Sequence, residues 1–360
     1  MKKIMILTAN KTGTGHKSAA NALQNRLIKL GYEVKQVNSF KMMGKIGEWL
    51  ENVYIPVTTT FPRLYYIGYL WSKAFPNTLH FLIYVFGKKK LLHEINEYKP
   101  DLIISVQCMF TKSISSLIEK NNLKIPFYID VIDLVNPPNV WFDPKADFIF
   151  VPTEDVKTDY IKKHIPESKI LVSGFPIRED IKRRNVAKKI DKKINILLVN
   201  PSVKLRKNIK YLQEVSKLDN ISITFICGRD ERLYKILIKK QDAGEISKDV
   251  KIYSFVENMN EFLDNAHILL AKAGPNMLLE GARSATAIVV TDHIMGQEND
   301  NYKYVIKNDF GFKCEDSKKI YKKLKDFIES KKLEECLENV LKADCDDGAE
   351  IIANYIHEHL

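Results

Sequence analysis

A glycine-rich turn that ends in a histidine is the first segment whose residue types could do chemistry. Residues 12–16 read Thr-Gly-Thr-Gly-His and follow a short apolar run at residues 4–8. The glycines let the backbone approach a ligand closely, and the helix expected to follow offers unpaired N–H groups to an anion. His16 can accept a proton from a hydroxyl group near neutral pH, so it is a candidate general base. From spacing alone, a histidine that only caps the helix is an equal alternative.

A second turn with chemical potential lies at residues 274–276. Gly274 and Pro275 predict a tight turn after a buried strand, and a helix is expected to begin at about Asn276. Glu280 falls in the first turns of that helix, where a carboxylate can accept hydrogen bonds from the two hydroxyls of a ribose. Taken alone, Glu280 is equally typical of a solvated helix carboxylate.

The next predicted strand is followed by a second polar loop that contains Gln297 and Glu298. Such groups can bind sugar hydroxyls, although an ordinary polar loop has the same composition. Both loops leave the same ends of what should be adjacent parallel strands. Because ligands bind beyond the carboxyl ends of such strands, the two loops together are a stronger signal than either alone.

The elements that must position these side chains alternate between strand and helix. Each half of the chain repeats this pattern, which predicts an α/β protein with two doubly wound domains facing a central cleft. The predicted strands are residues 4–8, 32–37, 102–106, 126–132, 148–152 and 170–172 in the first half, and 194–199, 221–227, 250–255, 268–271 and 287–291 in the second.

The length of the chain and one lysine-rich stretch predict the domain boundaries. Two domains are expected for 360 residues. The lysine-rich stretch 181–193 contains no aromatic residue and predicts a linker between a first domain at residues 1–180 and a second at 194–340. The remaining residues, 341–360, predict a C-terminal helix that can pack back on the first domain.

One stretch of the first domain breaks the alternation. Residues 52–93 contain no Asp or Glu, are rich in aromatic residues and end close to Lys88, Lys89 and Lys90. An aromatic, basic-ended insertion without carboxylates favours contact with anionic lipid, and an ordinary helical excursion packed on the first domain is the alternative.

Bulk properties narrow the class of protein further. The net charge of +11 favours partners that carry phosphate, or it reflects lysine-rich solvated faces. The five cysteines are widely spread without metal-ligand spacing, which predicts an intracellular protein without disulfides. We expect no signal peptide, no membrane-spanning segment and, because no nucleic-acid-binding signature occurs, no nucleic-acid partner.

Four blocks of this sequence resemble one family, that of monogalactosyldiacylglycerol synthase and processive diacylglycerol glucosyltransferase, in glycosyltransferase family 28. Residues 13–20 (GTGHKSAA) resemble the family's GGGHxxAA opening. Asp133, with Trp141 downstream, resembles its TD…W block. Residues 255–259 (FVENM) resemble its F-V-x-N-M block, and the segments AKAGP, Glu280 and GQE between residues 271 and 298 resemble its KAGP…E…PGQE block.

The resemblance implies a GT-B fold and a transfer of a hexose, with inversion, from a UDP-sugar to diacylglycerol at the inner face of the cell membrane. No cofactor and no metal are expected. It implies His16 as the base, Glu280 as the ribose ligand, and Gln297 and Glu298 as sugar ligands. It assigns the remaining donor contacts to Gly15, Phe255, Val256, Gly274, Pro275 and Asn276, and acceptor or membrane contacts to Asp133 and Trp141. The aromatic and basic composition of the insertion adds the candidate membrane contacts Tyr65, Tyr66, Trp71, Lys88, Lys89 and Lys90.

The chain departs from the family pattern after the first strand of its second half. The family has a glycine-rich loop there, whereas residues 200–206 read NPSVKLR, and Lys204 or Arg206 could supply the charge that a diphosphate needs. Two alternatives therefore stay open. One is a transferase that acts on a polyprenyl-linked or other amphipathic acceptor. The other is a catalytically decayed homologue that binds nucleotide-sugar or membrane.

Overall fold

The computed structural model describes residues 1–10, 15–190, 193–343 and 345–360, and these form two compact units. The first unit comprises residues 1–178, 295–297 and 346–360, and the second comprises 179–294 and 298–345. Residues 12–14 of the glycine-rich turn lie outside the described residues, as do residues 191 and 192 of the stretch predicted as a linker.

The first unit is built on a six-stranded parallel sheet. Its strands are β1 (Lys3–Thr8), β2 (Glu33–Asn38), β3 (Leu102–Ser105), β4 (Phe127–Asp130), β5 (Phe148–Val151) and β6 (Ile170–Val172), in the order β2-β1-β3-β4-β5-β6. Leu7 pairs with Ser105, Ser105 with Ile129, and Asp130 with Phe150. The carboxyl ends of the central strands therefore lie at one edge, where the side chains that follow them can meet.

Helices cover this sheet and form the insertion. They are α1 (Gly15–Lys29), α2 (Ser39–Met42), α3 (Lys45–Thr60), α4 (Pro62–Ala74), α5 (Pro76–Tyr98), α6 (Thr111–Lys120) and α7 (Glu154–Lys162). Pro62 and Pro76 occupy the first turns of α4 and α5, a position where the missing N–H costs nothing. The insertion is thus three consecutive helices, α3 to α5, and α4 buries no residue at all.

The second unit has its own six-stranded parallel sheet. Its strands are β7 (Ile194–Val199), β8 (Ile221–Ile226), β9 (Lys251–Tyr253), β10 (Ile268–Lys272), β11 (Ala287–Asp292) and β12 (Gly311–Lys313), in the order β12-β11-β10-β7-β8-β9. Its helices are α8 (Leu205–Val215), α9 (Glu231–Asp242), α10 (Met259–Asn265), α11 (Pro275–Arg283), α12 (Asn301–Lys307), α13 (Ile320–Glu329) and α14 (Lys332–Lys342). The prediction of two doubly wound α/β halves is confirmed.

The last helix, α15 (Gly348–His359), belongs to the first unit. Ile352, Ala353 and Ile356 share one buried core with β1 and α1. Arg26 of α1 also forms an ion pair with Asp347, whose side chain caps α15.

Two buried ionisable side chains, Asp130 and Lys188, affect the free energy of unfolding. Asp130, at the end of β4, is fully buried, and neither of its oxygens has a hydrogen-bond partner among the described residues. Burial raises its pKa well above the usual value. Lys188, within the stretch predicted as a linker, is buried in the second unit, where its Nζ donates to the carbonyls of Leu263 and Ala266.

Candidate functional site

His16 lies in the first turn of α1, buried at the carboxyl edge of the first sheet. Its Nδ1 is 2.8 Å from the carbonyl oxygen of Val106, the residue after β3. A carbonyl can only accept, so Nδ1 carries the proton in the neutral ring and Nε2 is left unprotonated. Burial lowers the pKa of His16, although the Val106 carbonyl and Asp133 oppose the shift. The imidazole is therefore neutral near pH 7 and has a basic nitrogen available.

Asp133 and Trp141 complete a buried cluster around His16. The Nε1–H of Trp141 donates to Oδ2 of Asp133, and the ring centroids of Trp141 and His16 are 6.4 Å apart. Burial raises the pKa of Asp133, whereas Trp141, His16 and Gln297 each lower it. Burial has the larger effect, so the pKa of Asp133 is raised overall, and these three groups oppose part of that shift.

Gln297 belongs to the first unit together with this cluster. Its side chain hydrogen-bonds to Asp133, and its Oε1 accepts from the hydroxyls of Tyr54 at 3.1 Å and Tyr65 at 3.3 Å. Gly296 has φ +93°, and a Cβ there would lie 2.7 Å from the ring of Tyr69. Glycine is therefore required before Gln297 both for its backbone conformation and for the close approach of Tyr69.

The predicted acceptor and membrane residues fall into two groups. Trp71, Lys88, Lys89 and Lys90 are exposed on the insertion helices, and Tyr65 and Tyr66 are half-buried on α4. Trp141 differs, because its side chain is fully buried. Its indole lies in the core, where its Nε1–H donates to Asp133, and its assignment as an acceptor or membrane contact stays a prediction.

The predicted nucleotide-sugar residues of the second unit flank β10 and β11. Gly274, Pro275 and Asn276 form the start of α11, as the sequence predicts, and Glu280 is buried on that helix. Oε1 of Glu298 lies 3.6 Å from where a Cβ on Gly274 would be, so the structure brings these two loops together. Oε2 of Glu298 accepts from the backbone N–H of Ile294 at 2.7 Å, and burial raises its pKa.

The glycine-poor loop after β7 is held by side chains that the sequence analysis did not identify. Asn200 takes the left-handed region at φ +36°, which a glycine would otherwise occupy. Oδ1 of Asn208 accepts from the N–H of Ser202 at 2.7 Å, and its Nδ2 donates to Oδ1 of Asn200 at 2.9 Å. Asp292, at the end of β11, accepts from the Ser202 hydroxyl and from the N–H of Val203.

Arg206 and Phe255 are two further predicted donor contacts. Arg206 is exposed in the first turn of α8. Phe255 is 52% exposed, with the guanidinium of Arg229 at 5.1 Å from its ring centroid. Phe255 and the half-buried Val256 line a groove of about 770 Å³ in the second unit. A flat aromatic ring stacked by an arginine provides a surface on which a base can lie.

Within residues 1–10, 15–190, 193–343 and 345–360, no group of three or more His, Cys, Asp or Glu side chains could hold a metal ion. In this same part of the chain, no helix is long and apolar enough to cross a bilayer.

Comparisons with known proteins define the class. Residues 16–177 match the family described as monogalactosyldiacylglycerol (MGDG) synthase, and residues 197–348 match the glycosyltransferase family 28 C-terminal domain. The MurG structure of Acinetobacter baumannii has a TM-score of 0.68 at 14% identity, covering 99% of this chain and all of that one. The spinosyn rhamnosyltransferase SpnG complexed with thymidine diphosphate has a TM-score of 0.64 at 10% identity, covering 99% and 100%. The fold is thus that of the GT-B glycosyltransferases.

Relatives that are similar in sequence identify the family within this fold class. A processive diacylglycerol beta-glucosyltransferase of Staphylococcus epidermidis is 27% identical over 333 residues, covering 86% of this chain and 80% of the relative. One of Bacillus cytotoxicus is 25% identical over 341 residues, covering 91% and 86%. The chain belongs to the monogalactosyldiacylglycerol synthase and processive diacylglycerol glucosyltransferase family, within glycosyltransferase family 28.

Proposed function

We propose that this protein transfers a hexose from a UDP-sugar to the free hydroxyl of diacylglycerol, with inversion at the anomeric carbon. The observation that carries the proposal is the hydrogen bond from His16 Nδ1 to the Val106 carbonyl. It fixes the tautomer in which Nε2 is free to accept a proton, at the sheet edge where ligands bind. A family of diacylglycerol glycosyltransferases supplies the acceptor class.

The chemical step needs one base and one stabilised leaving group. Nε2 of His16 takes the proton of the diacylglycerol hydroxyl as its oxygen attacks the anomeric carbon, and the bond from that carbon to the UDP oxygen breaks. Asp133 then faces an imidazolium, which its ionised carboxylate stabilises. UDP-hexoses carry the sugar in α-linkage, and the relatives are named beta-glucosyltransferases, which is consistent with inversion.

For the donor, we assign the contacts of the second unit. The start of α11 presents backbone N–H groups to the diphosphate, and the carboxylate of Glu280 accepts from the ribose hydroxyls. Phe255 and Val256 receive the base beside Arg229. Arg206 adds positive charge next to the loop that Asn208 and Asp292 hold in place. The side chains around this loop replace the usual glycines, so the loop is no argument for a decayed enzyme.

The insertion helices support a peripheral position on the inner face of the cell membrane. The chain has twenty exposed large hydrophobic side chains among its described residues, and twelve of them fall between Trp49 and Phe86. Such a concentration of apolar surface marks an interaction site, and the exposed Lys88, Lys89 and Lys90 fit anionic headgroups. Both features favour diacylglycerol taken directly from the bilayer.

The test uses purified protein, diacylglycerol in mixed micelles and separate UDP-glucose, UDP-galactose and UDP-N-acetylglucosamine. Mass spectrometry identifies the glycolipid, and NMR of the anomeric proton distinguishes the β product from the α product. We expect His16→Ala to lose about 10²–10⁴-fold in kcat. The control is His359→Gln, an exposed histidine on α15. No product with any donor would refute the proposed function, and full activity of His16→Ala would remove His16 as the base.

A further inference from the structure

The side-chain amide of Gln297 is held from both ends. Its Oε1 has two lone pairs, and both are used by the hydroxyls of Tyr54 and Tyr65. Because the hydrogen bond to Asp133 lowers the pKa of that carboxyl, Asp133 is the acceptor and the amide nitrogen of Gln297 is the donor.

Tyr54 and Tyr65 come from different insertion helices and meet at this point. Their rings pack edge to face with centroids 5.7 Å apart. One helical turn before Tyr54, the buried Glu51 accepts from the N–H of Asn10 at 2.7 Å and from Nδ2 of Asn38. This contact anchors α3 at the carboxyl edge of the sheet. At the far end of α4, Asn139 donates to the carbonyl of Lys73. The two hydroxyls are thus presented by anchored helices.

We propose that Tyr54 and Tyr65 are positioning residues for the base: their hydroxyls orient the amide of Gln297 so that it donates to Asp133, and Asp133 in turn sustains His16. The proposal rests on the proposed function for the role of His16 as the base. It extends the site to α3 and α4, the same helices whose outer faces carry the exposed apolar side chains. These helices are therefore connected by hydrogen bonds through Gln297 to Asp133, and the charge of Asp133 acts on His16.

The direction of the effect follows from the charges in the cluster. The amide of Gln297 favours ionised Asp133, and ionised Asp133 raises the pKa of His16. Loss of the two hydroxyls weakens the interaction of Gln297 with Asp133. The pKa of His16 then falls further, so His16 becomes a weaker base. Cys108 and Tyr160 also face Asp133, and burial raises the pKa of both. Both therefore stay protonated over the pH range in which a histidine titrates.

The first experiment measures His16 itself. Histidine labelled with ¹³C is titrated by NMR in the wild type and in the Tyr54→Phe/Tyr65→Phe double variant, with His16 assigned by its absence in His16→Gln. We expect the midpoint of His16 to move to lower pH in the double variant. The control is Tyr84→Phe, which removes a hydroxyl from α5 beside Lys88 and Lys120, away from Gln297. An unchanged midpoint, or an equal shift in the control, would overturn the proposal.

The second experiment measures turnover over the same pH range. The double variant should lose about tenfold in kcat, with the acid limb of kcat/KM displaced to lower pH. Its thermal midpoint of unfolding should fall by only a few degrees, as the loss of two part-buried hydrogen bonds predicts. In a Gln297→Leu background, the two tyrosine substitutions should have no further effect on the His16 titration. If the tyrosine substitutions shifted the His16 midpoint further in that background, they would not act through Gln297, and the proposal would be contradicted. Because the titration needs no turnover, a shift seen in a protein inactive on every donor would refute the proposed function and leave the positioning role intact.

Discussion

The membrane contact of the insertion can be tested with one isoleucine of α4. Ile67 is 63% exposed on a helix that buries none of its residues. Complete burial of an isoleucine side chain is worth about 1.5–3 kcal/mol, so about 1–2 kcal/mol remains available when this side chain enters a bilayer interface. We therefore expect Ile67→Ser to lower the vesicle partition coefficient by about 5- to 30-fold.

The assay is sedimentation of the protein with sucrose-loaded vesicles that contain phosphatidylglycerol. The structure offers a matched control, because Ile28 on α1 is 50% exposed in the same unit but lies outside the insertion. Ile28→Ser makes the same chemical change in a helix and should alter partitioning by less than about twofold. Equal losses in the two variants, or no loss in Ile67→Ser, would refute the assignment of α3 to α5 as the membrane-contacting surface.

Three further predictions concern single carboxyl groups. Asp133→Asn removes the negative charge that raises the pKa of His16, so the acid limb of the kcat/KM profile should move to lower pH and kcat should fall by about tenfold. Glu280→Gln should raise the Kd for UDP, measured by calorimetry, by about 10- to 100-fold, since a hydrogen bond to a charged group is lost; an unchanged Kd would exclude the ribose contact. Asp130→Val should stabilise the protein by about 1–3 kcal/mol at pH 7, because the buried oxygens of Asp130 have no partner among the described residues. The raised pKa means that folded Asp130 keeps a proton that the unfolded chain releases above about pH 4, so wild-type stability falls as pH rises until the folded-state pKa is passed. The calorimetric advantage of the variant should therefore grow from pH 5 towards pH 8, and an advantage independent of pH would contradict this reasoning.

Much of the fold could be predicted from the order of apolar runs. Buried parallel strands are continuous apolar segments, and those at 194–199 and 170–172 match β7 and β6 to the residue. The strand β12 was missed because its three residues, Gly311–Lys313, have no apolar run of their own. The boundaries between α3, α4 and α5 are set by Phe61-Pro62 and Phe75-Pro76, because proline favours the first turn of a helix, and this signal is visible in the sequence.

The candidate site was less predictable, because its contacts join residues far apart in the chain. Tyr54 and Gln297 are 243 positions apart, and no local pattern pairs them. Trp141 was assigned to the acceptor or membrane contacts from its motif alone, and its complete burial depends on the packing of the segment after β4, which no motif specifies. The role of Asn208 could not be predicted for the same reason. Its side chain bonds to Ser202 in the loop after β7, and no sequence pattern indicates that contact.

The position of helix α15 at the end of the chain affects the order in which the two units fold during synthesis. Ile352, Ala353 and Ile356 complete the same core as Ile4 and Leu23, yet they are translated after the whole second unit. At about 5–20 residues per second, the ribosome needs on the order of ten seconds or more for the residues between the two parts of the first unit. Throughout that interval the apolar face of α1 and β1 lacks its cover. Folding of the first unit therefore finishes last, although its synthesis begins first, and nascent chains are expected to depend on chaperones most strongly at that stage.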